Sequence, residues 1–292
     1  MPASASRCGS TKSAPGPGSV DIALRLEEAR AALFSCQLCE WRCGVDRTKG
    51  EPAPCRLNAD TYIFRQYVSL TDELEIIPTL RAYFSGCNFR CRFCDTAPTC
   101  FEPSAGERVN PQQLADELVA AVRHGAKTID LLGGEPSLHP HTILEIALAA
   151  KEPLPLVLDT NLYMTLQVID WLDGVVDCVI GDFKFGSDEC AKKLAGVDRY
   201  WEVVTRNLRH IGSNGTTLIV RHLLMPGHLN CCLKPVADWT AFNLPGVRFH
   251  LVCGYVPCWK AQDDSNLGRT TSRLERDEAE AYVRSLDLSL CV

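Results

Sequence analysis

The stretch Ala82-Tyr83-Phe84-Ser85-Gly86-Cys87-Asn88-Phe89-Arg90-Cys91-Arg92-Phe93-Cys94 joins a short apolar run to three cysteines spaced C-x3-C-x2-C. Ala82–Ser85 reads as a buried strand, and Gly86 lets the chain leave it sharply. Thiolates are the usual ligands of iron–sulfur clusters. Three cysteines on one loop can hold three irons of a cubane and leave the fourth iron without a protein ligand. An open position on a metal is where a substrate binds. The competing reading of three such cysteines is a zinc loop.

The surrounding chain alternates strand and helix signals. Strands are predicted at Ala82–Ser85, Thr128–Leu132, Leu156–Thr160, Cys178–Phe183, Thr217–Leu224 and Arg248–Cys253, all short, apolar and rich in β-branched residues. Helices are predicted at Pro111–His124, His139–Ala150, Tyr163–Leu172, Tyr200–Ile211, Cys231–Phe242 and Arg273–Leu286. The first begins after Asn110, a good N-cap, with Pro111 at the first helical position. Gln262–Thr271 is polar and reads as loop. The pattern implies an α/β fold with a parallel sheet, open or curled into a partial barrel.

Four segments fall at the predicted C-terminal strand ends, where such sheets place their ligands. They are Gly133-Gly134-Glu135-Pro136, Asp159-Thr160-Asn161, Asp182-Phe183-Lys184 and Ile219-Val220-Arg221-His222-Leu223-Leu224-Met225-Pro226-Gly227. Glycines let backbone approach a ligand, and Glu135 can offset an ammonium. Taken singly, each has a plainer reading: an ordinary turn, a cap for Asp159, a buried ion pair for Asp182 with Lys184. Their co-occurrence favours a site.

With Phe93 before its last cysteine, the loop resembles the radical S-adenosylmethionine superfamily. The D-T-N, D-x-K and V-R-x-x-x-x-P-G segments are similar to those of glycyl-radical-enzyme activases, such as pyruvate formate-lyase activating enzymes. The likeness covers roughly residues 80–260. It implies a partial (β/α)6 barrel and a 4Fe–4S cluster on Cys87, Cys91 and Cys94. It further implies that S-adenosylmethionine chelates the open iron and is cleaved reductively to a 5′-deoxyadenosyl radical, which abstracts hydrogen from a substrate. By the same resemblance, Phe93 packs near the adenine and Gly133, Gly134 and Glu135 meet the cofactor's amino group. Asp159 and Asp182 sit at a monovalent cation, and Lys184 and Arg221 lie near the cofactor. An electron donor such as flavodoxin or ferredoxin is implied as a partner, with a protein or peptide glycyl target. One departure stands out: the activases carry Tyr-His after the last strand, whereas this chain has Tyr255-Val256. That keeps open radical modification of a peptide or small metabolite instead.

Ahead of the barrel lies a second cysteine group, Cys36, Cys39, Cys43 and Cys55, spaced C-x2-C-x3-C-x11-C. Four thiolates can close a tetrahedral zinc site or fully ligate a second 4Fe–4S cluster. Either would be structural, relaying or sensing; the plain alternative is unligated core cysteines. The segment resembles a subgroup of activase-like proteins with a cysteine-rich C-G-V-x-R stretch. The expected division is a disordered tail over 1–19, a cysteine-rich extension over 20–75 and the barrel domain over 76–292.

The remaining expectations are bland. Cys253 with Cys258 and the vicinal Cys231-Cys232 read as packing residues, Cys100 has no assigned role, and His139, His141 and His222 read as structural. The chain has 292 residues, 46% apolar and 23% charged, with a net charge of −6 and no run of Lys or Arg. That argues against nucleic acid as a partner. No window approaches the roughly 20 apolar residues of a membrane span. Sixteen cysteines in a chain without a secretory apolar stretch suit metal ligation in the cytoplasm. A non-enzymatic electron-transfer or sensor protein is the rival class, resting on the cysteine count alone.

Overall fold

Strands that are apolar on both faces are satisfied only inside a layered structure, and this governs the computed structural model of the chain. It describes residues 21–71, 73–286 and 288–291, so the expected tail over 1–19 lies outside the described residues. The chain begins with α1 (Ile22–Ala31), β1 (Tyr62–Ser69), β2 (Thr79–Phe84) and the two-residue β3 (Glu107–Arg108). It continues through α2 (Pro111–Arg123), β4 (Thr128–Gly133), α3 (Pro140–Ala149), β5 (Leu156–Thr160), α4 (Leu166–Leu172) and β6 (Cys178–Asp182). Then follow α5 (Asp188–Ala195), α6 (Tyr200–Ser213), β7 (Thr217–Leu223), α7 (Lys234–Asn243), β8 (Arg248–Val252), α8 (Arg273–Ser285) and β9 (Ser289–Cys291).

One sheet runs β3-β1-β2-β4-β5-β6-β7-β8-β9. From β2 to β9 every neighbour is parallel, whereas β1 pairs antiparallel with β2 and β3. The six predicted strands are β2 and β4 to β8, the frame of a partial (β/α)6 barrel. β9 and β3 extend its two edges and are additions to the sequence reading. So is α5, which is short and polar but buries Ala191, Leu194 and Ala195 and is capped by the Ser187 hydroxyl. The segment predicted as a helix from Cys231 opens instead with a π-helical turn over Leu229–Leu233. Asn110 caps α2 by accepting from the N–H groups of Gln112 and Gln113, as expected.

Side-chain alternation sorts the strands into two faces. Outward residues such as Phe84, Ile129, Leu131, Leu158, Val220 and Phe249 are buried against the helices in the main core. Inward, Val157, Cys178, Ile180 and Ile219 pack with Ile76 into a small apolar plug. Each fully buried side chain of this kind contributes roughly 1.5–3 kcal/mol. Next along the same inward faces come charged residues. Register sets Arg81 beside Asp130, and Asp182, Arg221 and His250 side by side.

The N-terminal segment shares this core. Leu26, Ala29, Leu33, Cys36 and Leu38 belong to the same buried cluster as the barrel helices. Arg47 is fully buried. Its Nε donates to Asn58 O (2.9 Å) and its Nη1 to Leu138 O (2.8 Å). Among the described residues no helix is long and apolar enough to cross a membrane.

Candidate active site

The cluster loop leaves β2 at Gly86, whose φ of +83° is one that L side chains rarely adopt. The turn after β4 presses onto it: a Cβ on Gly134 would stand 1.9 Å from Gly86 O. Only glycine allows that approach, and Glu135 N donates to Gly86 O at 2.8 Å. Cys87, Cys91 and Cys94 therefore line one cavity of about 960 Å³ together with Gly133, Gly134 and Glu135. Burial pushes the Cys87 thiol well up and Cys91 to about 12, the latter against the nearby Lys184 ammonium. Cys94 is held below the ordinary thiol range because Cys100, 3.7 Å away, and Thr96 hydrogen-bond to it. Cys100, given no role from sequence, thus backs the loop.

Glu135 is buried and largely engaged. Its Oε1 accepts from Ser137 N (3.1 Å) and Thr160 Oγ1 (2.6 Å), and its Oε2 from Asn161 N (2.8 Å). A carboxylate has about four acceptor positions, so one remains. Burial raises its pKa, and these donors work against the rise. Phe93 lines the cavity, edge-on to Phe185 and Tyr255.

Deeper in the cavity a charged layer closes on Arg221. Its Nη2 donates to both oxygens of Asp159 (2.6 and 2.7 Å), Nε to Asp182 Oδ1 (2.7 Å) and Nη1 to Glu73 Oε1 (3.2 Å). Lys184 Nζ takes the other oxygen of Asp182, and His250 Nδ1 meets Glu73 at 2.9 Å. Arg81 pairs with Asp130 at 3.3 Å. Among the described residues, four carboxylates here face the cations Arg81, Lys184 and Arg221, with His250 beside them. Burial pushes Asp130 above the carboxylate range, helped by Asp159 and opposed by Arg81 and Arg221. Burial also raises Asp159, to about 6, although Arg221 opposes it. For Asp182, burial is outweighed by Arg221 and Lys184, and its pKa falls. Burial is likewise outweighed at Glu73, where His250 and Arg221 hold it at about 2.

The structure thus brings Cys87, Cys91, Cys94, Phe93, Gly133, Gly134, Glu135, Asp159, Asp182, Lys184 and Arg221 to one cavity. Glu73, Arg81, Asp130 and His250 join the layer without having been singled out from sequence. A polar residue inside an apolar strand was the available signal for Asp130 and His250, and Arg81 lies just ahead of the predicted strand that begins at Ala82. The histidines read as structural are so. His139 spans Thr61 Oγ1 and Ser85 O at 2.9 Å each, His141 meets Ala59 O, and His222 meets Phe183 O. Tyr255 donates to Leu267 O and turns its hydroxyl away from the cavity, while Val256 and Cys258 line it.

Cys36, Cys39, Cys43 and Cys55 gather against the cluster loop. Trp41 Nε1 donates to Asn88 O (2.9 Å), and Arg90 reaches Cys87 O and Pro54 O. The Asn88 side chain hydrogen-bonds to the Cys39 sulfur, and the buried Arg47 Nη2, without a hydrogen-bond partner of its own, lies near Cys55. Burial raises Cys55 and takes Cys39 to about 12. The expectation that Cys231 and Cys232 are both packing residues needs correction. Cys232 is buried, whereas Cys231 is exposed, because the π-helical turn rotates it outward.

A profile of the Radical SAM superfamily matches residues 82–240. The chain belongs to the radical SAM superfamily. This radical SAM protein is 31% identical over 273 residues to an uncharacterised protein of Methanocaldococcus jannaschii, covering 91% of this chain and 79% of that one. A 78-residue segment is 36% identical to a 7-carboxy-7-deazaguanine synthase of Methanothermobacter thermautotrophicus, 27% of this chain and 30% of that enzyme. Among solved structures, Streptococcus suis SuiB bound to precursor peptide SuiA superposes with a TM-score of 0.54 at 14% identity, over 70% of this chain and 46% of SuiB. The chain therefore spans about half the length of SuiB, and the likeness concerns the fold alone. Membership implies a 4Fe–4S cluster and S-adenosylmethionine. The donor set fits them: three thiols on one glycine-pinned loop line a cavity within the size range of cofactor sites.

Proposed function

We propose that Cys87, Cys91 and Cys94 hold a 4Fe–4S cluster and that the chain cleaves S-adenosylmethionine reductively to drive hydrogen abstraction from a protein or peptide substrate. The observation that carries this is the meeting, in one cavity, of the three-thiol loop, the Gly133–Glu135 turn and the layer around Arg221. When bound, cluster and cofactor supply one electron and a 5′-deoxyadenosyl radical.

The chain's own residues bind, orient and exclude water. Glu135 keeps one acceptor position for the cofactor's ammonium while tying the turn to Thr160 and Asn161. Phe93 offers an apolar wall for the adenine. Arg221 and Lys184 supply positive charge for the carboxylate. A monovalent cation at Asp159 and Asp182 would share oxygens that Arg221 and Lys184 already engage. Leu74 and Val256 stand exposed on the cavity rim. Exposed apolar side chains beside a charged cavity suit a macromolecular substrate, so a glycyl-radical target is the preferred reading and modification of a peptide the second.

The extension over 20–75 is proposed as a second metal-bearing part, zinc or iron–sulfur, on Cys36, Cys39, Cys43 and Cys55. The buried Arg47 Nη2 near Cys55 and the Asn88 contact to Cys39 suit thiolates better than thiols. Its contact with the cluster loop through Asn88 and Arg90 suits a relay from a donor such as flavodoxin or ferredoxin. A cytoplasmic setting accords with free thiols at the described cysteines.

The test is 5′-deoxyadenosine formation by the anaerobically reconstituted protein with dithionite and S-adenosylmethionine, beside a Cys87, Cys91, Cys94→Ala variant. Product from the wild type alone supports the reading; equal product from the variant sinks it. A persistent glycyl signal in electron paramagnetic resonance on a partner protein separates activation from modification, which leaves a closed-shell product of changed mass.

A further inference from the structure

After β6 and β7, and apart from the side chains that line the cavity, Cys190, His228, Cys231 and Cys232 converge. Their ligand atoms all lie within 4.8 Å of one another. His228 Nδ1 stands 3.9 Å from Cys190 Sγ, 3.2 Å from Cys231 Sγ and 3.6 Å from Cys232 Sγ, and the two vicinal sulfurs are 3.9 Å apart. One imidazole nitrogen has a single lone pair or a single proton, so the histidine can pair with only one of these three thiols, and the sulfurs otherwise have one another and the Gly186 backbone. A central cation satisfies all four groups at once. Zinc–sulfur and zinc–nitrogen bonds of about 2.3 and 2.05 Å at tetrahedral angles give edges of about 3.8 Å between sulfurs and about 3.6 Å from sulfur to nitrogen. The three sulfur–nitrogen separations bracket the second of these edges, and the Cys231–Cys232 separation lies close to the first. A cubane is a poorer fit, because its ligands bind four different irons and stand farther apart.

We propose that Cys190, His228, Cys231 and Cys232 bind one zinc ion as a closed site of three thiolates and one imidazole. Three soft thiolates with an imidazole suit zinc among the divalent ions, and four protein ligands leave no open position, so the site is structural.

The local backbone is built to bring the ligands together. Cys190 lies in the first turn of α5, where its N–H donates to the capping Ser187 hydroxyl at 3.2 Å. Just before it, Gly186 runs against the other ligand segment: a Cβ there would stand 2.4 Å from Cys231 O and 2.8 Å from Cys232 Cα. On the other side, Gly227 turns the chain at φ +75°, and Cys232 N donates to His228 O at 3.0 Å. The ion would thus clamp the loop after β6 to the segment after β7. The first of those loops carries Lys184, whose N–H donates to Tyr200 Oη at 2.7 Å. The site is therefore a support for the loop behind the cavity rather than part of the cavity.

The test uses the full chain, purified anaerobically, stripped of metal by chelation under reducing conditions and titrated with Co²⁺, then Zn²⁺. Cys231→Ser is the first variant, since Cys231 is exposed and its substitution leaves the core intact; Cys190→Ser is the second. The wild type is expected to bind about one more equivalent of Co²⁺ than either variant. The difference spectrum should show thiolate-to-cobalt charge transfer and the strong visible bands of a tetrahedral ion, both removed by Zn²⁺. Zinc should raise the unfolding temperature of the wild type more than that of Cys231→Ser, with the metal-free forms unfolding alike. Equal metal uptake by all three proteins, or a difference spectrum without thiolate bands, would overturn the proposal.

Discussion

Two groups of cysteines stand just past strands of the same sheet and are built to opposite ends. Cys87, Cys91 and Cys94 sit on a single loop and line a large cavity. Cys190, on α5, and Cys231 and Cys232, on the turn before α7, close around His228 and lie outside the cavity lining. The first arrangement leaves a metal something to do; the second leaves it only something to hold. The difference lies in how many ligands the chain brings and in whether they line the cavity, rather than in the thiols themselves.

The comparison is broken or sharpened most strongly by removing thiols. Cys87→Ala should lower 5′-deoxyadenosine formation by at least about a thousandfold, the scale expected when an essential group of a unit is lost. Cys231→Ser should leave more than half of it, both read by chromatography. Loss of product in both would mean that the outer group also serves the chemistry. Next in size, Gly134→Ala drives a methyl group into Gly86 O and displaces the turn from the cluster loop. Cofactor affinity, measured by equilibrium dialysis, should fall by at least about tenfold, since a displacement near 1 Å can cost about a hundredfold.

Arg221→Ala would leave Asp159, Asp182 and Glu73 buried without their common partner. Unfolding in urea should register a loss of about 3–5 kcal/mol, whereas the outer cysteine variants should lose much less. The smallest effect is one of pH. Glu73 has a folded pKa of about 2, below its unfolded value near 4.5. The folded state therefore binds fewer protons, and the stabilisation is complete above pH 4.5 and is lost as pH falls toward 2. Wild type should exceed Glu73→Gln by up to about 3 kcal/mol at pH 7, and the gap should narrow at pH 3.5. A gap that widened on acidification would reverse the assignment of charge in the layer.

What could be read before folding was whatever is contiguous. The cluster loop and the Gly133–Glu135 turn announce themselves because a few adjacent residues at a strand end carry the pattern. Asp159, Asp182, Lys184 and Arg221 were legible as a group by their place at strand ends, and their separate roles only through resemblance, since each is one residue in a strand or its exit. Glu73, Arg81, Asp130 and His250 were not legible as a group: register alone lines up Asp182, Arg221 and His250, and Glu73 reaches them from outside the strands. The outer set failed for the same reason. Cys190 lies on a helix too short and polar to be called from periodicity, and an adjacent Cys231-Cys232 pair gives no hint that both turn toward one histidine.

Arg47 carries a lesson about modularity. The N-terminal segment looks detachable, a cysteine-rich preface to a complete barrel. Its arginine, however, is seated wholly inside, donating to the Asn58 carbonyl of its own segment and to a Leu138 carbonyl that no other barrel need offer in that position. Transplanted as a cassette onto a different host, the segment would bring a guanidinium with nowhere to put it, at the cost that any unreceived buried charge incurs. The preface and the barrel are therefore inherited as a matched pair, and a change on either side of that seam constrains the other.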